Sequence, residues 1–190
     1  MGEDVSARDH VLVGFTALVG DLFDGQRGRT AAERLKVLLG PTAPRARDPF
    51  QVLRFAASCG RTAANVVERQ LCRLESEALL AAEDLPGSQE ALRHLASKGC
   101  TLTVITNHGI DCVRSYLTMR DLTGQVRRIS ARVTADPERL LPGPHLVQQA
   151  IRALATTAEH CVLIAGSAAE SAAARAAGVA CVRGMEAICG

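Results

Sequence analysis

The sequence predicts an α/β protein with a parallel sheet of five strands and an inserted helical unit. Three observations carry this. Residues 11–15 form a short apolar run, and the other strand-like runs all come later: "LTVIT" at 102–106, "CVLIAG" at 161–166, "VACV" at 179–182 and a weaker "VRRIS" at 126–130. Helical patterns lie between these runs, and strands joined through helices form parallel sheets by right-handed crossovers. The stretch from 22 to 85 has no convincing strand.

Taken in order, residues 11–15 read as a buried strand that runs into a small-residue loop, "TALVG". The 22–85 stretch holds at least three helical patterns. Pro41, Pro44 and Asp48-Pro49 separate the first from the second, and Gly60 ends the second. The third runs through Val67, Leu71, Leu74 and Ala78, one apolar face at 4, 3, 4 spacing. The segment "PGSQEALRHLASKG" opens on Pro-Gly-Ser, repeats Ala91, Leu92 and Leu95, and stops at Gly99. "GPHLVQQAIRALA" repeats Leu146, Ala150, Ile151 and Leu154, and "SAAARAAG" ends on Gly178 as a helix C-terminal glycine. The expected division is therefore a core of 1–21 and 86–190 with a helical cap of 22–85. Such a cap closes over the carboxyl ends of the strands, where open α/β sheets bind ligands.

Composition excludes several functions. A chain of 190 residues with 47% hydrophobic content buries a full core. Its net charge of +2 comes from 22 basic and 20 acidic residues interleaved along the chain, with only 3% aromatics, so nucleic acid is not an expected partner. No apolar run approaches the roughly 18 residues of a membrane span. Gly2 and Ser6 fit a short myristoylation pattern, but no polybasic patch follows as a second membrane signal. Seven cysteines show neither C-x-x-C pairing nor metal-ligand spacing; reduced thiols and a cytoplasmic location are expected, with no cofactor or metal.

The segments "VLVGFTALVGDLFDG", "DPFQVLRFAASCG", "LPGSQEALRHLASKGCTLTVITN", "VRSYL", "LLPGPHLVQQAIRAL" and "CVLIAGSAAESAAARAAGVACV" together resemble the haloacid dehalogenase-like (HAD) hydrolases. The likeness is closest to their phosphoglycolate-phosphatase-like members with a C1 helical cap, and it implies a Rossmann-like core with the strand at 11–15 in its centre. Order and spacing match over nearly the whole chain.

That resemblance also says where chemistry belongs. The family's first strand ends D-x-D, a nucleophile and a general acid/base two residues apart; here those positions are Gly14 and Thr16. A phosphate-binding hydroxyl survives as Thr106, followed by Asn107. The family lysine is replaced by Leu141, and neither Lys36 nor Lys98 is placed to substitute. In the magnesium-binding G-D-S-x-x-D, "AGSAAE" puts Gly166 and Glu170 at the acidic positions. Hard Mg²⁺ needs several oxygen ligands, which Glu170 alone does not supply. The resemblance thus implies a pseudoenzyme, a non-phosphatase that binds a small molecule between cap and core or a protein partner. Two alternatives stand beside it: an enzyme with a repurposed, metal-independent pocket acting on a metabolite, and a surviving phosphatase with shifted carboxylates.

The ligand-binding candidates are Thr16, Thr106, Asn107, His108, Ser167 and Glu170. Asp21 and Asp24 are spaced by three and fit a helix start better than a catalytic pair. His108 follows Thr106-Asn107 in an expected exposed loop, so its replacement by Ala is expected to change stability by no more than about 0.5 kcal/mol. Cys112 serves as a nucleophile only with a lowered pKa. Ser167 and Glu170 also read as an N-cap and an acidic first turn.

Overall fold

The structure is a computed structural model that describes residues 9–185. The readings of Gly2, Ser6 and Cys189 fall outside them. Five parallel strands, β1 (His10–Gly14), β2 (Thr101–Gly109), β3 (Val126–Arg132), β4 (Cys161–Ala165) and β5 (Ala180–Arg183), lie in the order β3-β2-β1-β4-β5. The first strand is central, pairing Val13 with Val104 on one side and with Ile164 on the other.

Alternation along β1 explains the two layers that cover the sheet. Val11 and Val13 face one side and join the apolar residues of α5 (Ser88–Ser97) and α6 (Ile110–Met119), including Leu92, Leu95, Val113 and Tyr116. Leu12 faces the other side with Leu146, Val147 and Ala150 of α7 (His145–Leu154) and Ala173 and Ala174 of α8 (Ala168–Ala176). A sheet buried on both faces is the arrangement that parallel strands require.

Residues 25–80 contribute helices only: α2 (Gly25–Lys36), a 3₁₀ segment (Val37–Thr42), α3 (Pro49–Ser58) and α4 (Arg61–Leu80). They build an apolar cluster of their own from Ala32, Leu35, Val52, Leu53, Val67, Leu71 and Leu74, closed by Phe23 and Leu140. Asp48 starts α3 by accepting a hydrogen bond from the Phe50 amide, with Pro49 in the first turn.

Three local expectations are corrected. The "TNHG" segment is the end of β2, where the register with β3 shifts between Ile105 and Gly109, and not an exposed loop. Thr16–Val19 forms one helical turn, α1, where a small-residue loop was expected. β3 continues to Arg132, two residues past its expected end, because Arg132 is anchored from α4. Among the described residues, no helix is long and apolar enough to cross a membrane.

Candidate active site

A cavity of about 430 Å³ lies between the carboxyl ends of β1, β2 and β4 and the first turns of the helical unit. Thr16, Thr106, Asn107, His108, Ser167 and Glu170 all line it, so the fold brings the six sequence candidates to one place. Three strand ends meet there because the sheet is parallel and β1 is central.

Glu170 is almost fully buried, at 1% exposure. Its carboxylate accepts from the Thr16 hydroxyl at 2.6 Å and from the amides of Gly166 at 2.8 Å, Ser167 at 3.1 Å and Thr16 at 3.3 Å. Ser167 in turn accepts from the Glu170 amide, completing a capping box at the start of α8. Burial still outweighs these four donors and holds the Glu170 pKa above the ordinary carboxylate value. The side chain fills the space beside Gly14: a Cβ there would lie 2.3 Å from the Glu170 carboxyl carbon. Gly166 is equally confined, since its Cβ would meet the Ala17 amide nitrogen and the Thr16 carbonyl carbon at 2.3 Å. The β1 and β4 ends therefore close directly on each other.

Asn107 braces the neighbouring loop. Its side-chain carbonyl accepts from the Leu141 amide at 2.6 Å, and its NH₂ donates to the Leu141 carbonyl at 3.2 Å. The Leu141 side chain packs into the apolar layer under α7, and Arg54 of α3 donates to the same carbonyl at 3.3 Å.

His108 is 4% exposed. Its Nδ1 lies 3.2 Å from Oε1 of Glu75, which is fully buried on α4. The Glu75 carboxylate also accepts from Arg132 Nη2 at 2.5 Å and from the Gly109 amide at 3.0 Å. Burial pushes the Glu75 pKa up, but the His108 bond, the Arg132 charge and the Gly109 amide outweigh it, and the net direction is down. Arg132 further pairs with Glu68 and donates to the Asn107 carbonyl at 2.8 Å. Phe15, Phe23 and Phe50 surround the imidazole at centroid distances of 5.9, 5.6 and 5.6 Å.

The other candidates separate. Asp21 lines the cavity and accepts from the Phe23 amide, while Asp24 precedes α2 without a side-chain cap bond. Cys112 is buried, and desolvation together with the Glu75 charge pushes its thiol up to about 12, the wrong direction for a nucleophile. His108 takes its carboxylate partner from Glu75, whereas Glu170 is bound to Thr16 and the α8 cap. Among the described residues, no group of three His, Cys, Asp or Glu side chains is placed to hold a metal ion. Sequence reasoning missed Glu75, Arg132, Asp48 and Arg54. Only Glu75 left a trace: a carboxylate inside the 71, 74, 78 apolar stripe of α4.

The family profile described as haloacid dehalogenase-like hydrolase matches residues 47–183, well over half of the chain. The chain belongs to this family. Among solved structures, a hydrolase from Pseudomonas syringae aligns with TM-score 0.69 at 15% identity, covering 93% of this chain and 84% of that one. A predicted phosphoglycolate phosphatase from Haemophilus somnus gives 0.64 at 17% identity over 93% and 84%. A haloacid dehalogenase-like hydrolase from Bacteroides fragilis gives 0.64 at 19% identity over 92% and 86%. At these identities the likeness is one of fold. No curated protein matches the chain.

Proposed function

We propose that this HAD-family chain does not perform metal-dependent phosphoryl transfer and instead binds a small molecule in the cavity between a helical cap, residues 22–85, and the sheet. The observation that carries this is the closure of the strand ends. The positions where the resemblance expects the nucleophile and a magnesium ligand are Gly14 and Gly166. The space beside the first holds the Glu170 carboxyl group, and the second abuts the backbone of Thr16 and Ala17. Glu170 already accepts four hydrogen bonds, so recruiting it to a cation breaks contacts that offset its burial.

Charge supports the same reading. Asp21, Asp48 and Glu170 line the cavity with Arg54 as their basic counterpart, and Leu141 stands where the resemblance expects a lysine. A phosphate dianion there meets acidic neighbours and little to offset its desolvation.

The test is hydrolysis of p-nitrophenyl phosphate and phosphoglycolate with Mg²⁺, together with calorimetric titration of Mg²⁺. The expected results are background rates and no stoichiometric binding. Turnover abolished by EDTA would overturn the proposal. Thermal-shift screening of neutral and cationic metabolites is expected to raise the melting temperature; a chain that responds to none, but is captured specifically by a protein partner, places function on the outer surface instead.

A further inference from the structure

His108 is nearly buried, borders the cavity, and has no part in closing the strand ends. Its Nδ1 faces a fully buried carboxylate at 3.2 Å, while its Nε2 meets no protein hydrogen-bond partner among the described residues. With Glu75 ionised, Nδ1 carries a proton toward it, and in the neutral ring Nε2 presents its lone pair. Glu75 is itself fixed by Arg132 and the Gly109 amide. Three phenylalanine rings pack around the imidazole. Carboxylate, imidazole and an Nε2 without a protein partner, on a residue that lines the cavity, are the parts of a proton-transfer dyad.

We propose that Glu75 and His108 form a metal-independent general-base dyad, with His108 the catalytic residue and Glu75 its positioning residue, acting on small uncharged esters. This rests on the reading that the cavity admits a small molecule. The walls favour an uncharged, partly apolar molecule, since Phe23, Phe50, Leu141 and Pro142 are apolar and Asp21, Asp48 and Glu170 disfavour anions; a base and oxyanion donors narrow this to an ester. Arg54 spends Nη2 on the Leu141 carbonyl and keeps other N–H groups. Thr106 accepts from the His108 amide and keeps its hydroxyl hydrogen to donate. Both line the cavity and supply donors for a developing oxyanion. In the reaction Nε2 takes a proton from water as the water oxygen bonds to the acyl carbon, and the carbonyl electron pair moves to its oxygen. When that pair returns, the carbon–oxygen bond to the leaving group breaks, and the departing alkoxide takes the proton from Nε2. The products are a carboxylic acid and an alcohol, with no net oxidation.

Charged groups on each packed element shape the pH response: Glu75 and Glu68 on α4, Arg132 on β3, Asp48 at the start of α3 with Arg54 beyond it, and Asp21 after α1. The test is p-nitrophenyl acetate hydrolysis in EDTA from pH 5 to 9, with melting curves for every variant. The wild-type chain is expected to exceed the heat-denatured chain, which carries the same five histidines. His108→Gln is expected to lose at least about tenfold, within the range of general-base contributions. Glu75→Gln is expected to keep measurable turnover and shift the pH profile, a change that loss of packing alone does not produce. A folded His108→Gln as active as wild type, or a wild type no faster than the denatured chain, overturns the proposal. If His108→Gln unfolds, carbethoxylation of the wild type decides: turnover lost in step with His108 modification supports the dyad, and turnover retained after it is complete overturns it. EDTA-sensitive phosphatase activity would instead overturn the cavity reading itself, so the two failures are distinguishable.

Discussion

Gly14 and Glu170 share one volume, since the Glu170 carboxyl group of α8 fills the space where the resemblance expects an Asp side chain on β1. An Asp at 14 overlaps the Glu170 carboxyl group and buries a second negative charge beside the first. Gly14→Asp is expected to destabilise by about 2–4 kcal/mol, from overpacking plus charge burial, and to gain no magnesium-dependent activity. Adding Glu170→Ala is expected to recover part of that loss, so the double-mutant cycle in urea should show a coupling of at least about 1 kcal/mol. Strict additivity would mean that the two side chains do not compete. At His108 the sequence expectation needs correction. The residue is buried and pairs with a buried carboxylate, so His108→Ala leaves Glu75 short of a partner and should cost about 2–4 kcal/mol, read as a shift in the urea midpoint.

The elements set the chemistry of the thiols. Cys59 ends α3 and Cys72 sits on α4, both exposed, whereas Cys100 and Cys161 lie at strand starts and Cys112 in the first turn of α6, all buried. Cys181 is only half-buried on the edge strand β5. Desolvation by its packed neighbours, with the negative charges of Glu68 and Glu75 added and the Arg132 charge working against them, pushes the Cys72 thiol up to about 11. Titration of the native chain with a thiol reagent at pH 8, followed by peptide mapping, should label Cys59 first and Cys72 more slowly despite its exposure, because the thiolate is the reacting form. Cys100, Cys112 and Cys161 should react only after unfolding. Rapid labelling of Cys112 would contradict the packing of α6 against α4.

Across the whole molecule, the polar links between the helical unit and the sheet respond to pH. The Glu75 pKa is lowered on folding, so its contribution is fully present above the ordinary value of 4.5 and is lost as pH falls through the lower folded value. Glu170, Asp48 and Glu68 carry raised values and act in the opposite sense, their contribution declining as pH rises. Glu75→Gln is therefore expected to flatten the acid limb of stability while lowering stability at neutral pH. Urea melts at pH 3, 4, 5 and 7 would show it, and an unchanged acid limb in the variant would contradict the Glu75 assignment.

The sequence alone determined the five strands and the helical stretch between β1 and β2, because burial of alternating or 3.6-spaced apolar residues is a local pattern that survives in one dimension, while the central place of β1 came from the family resemblance, since strand order is not a local pattern. It also brought forward six residues that the fold gathers around one cavity, since parallel strands deliver their carboxyl ends to one edge. The tertiary structure alone decided how those residues are used. Glu75 and His108 are 33 positions apart, Arg132 and Glu75 are 57 apart, and Thr16 and Glu170 are 154 apart. No spacing rule links such pairs. Their meeting depends on how α4 leans on the end of β2 and how closely β1 approaches β4, and on the need of each buried charge for a partner wherever packing has left one within reach.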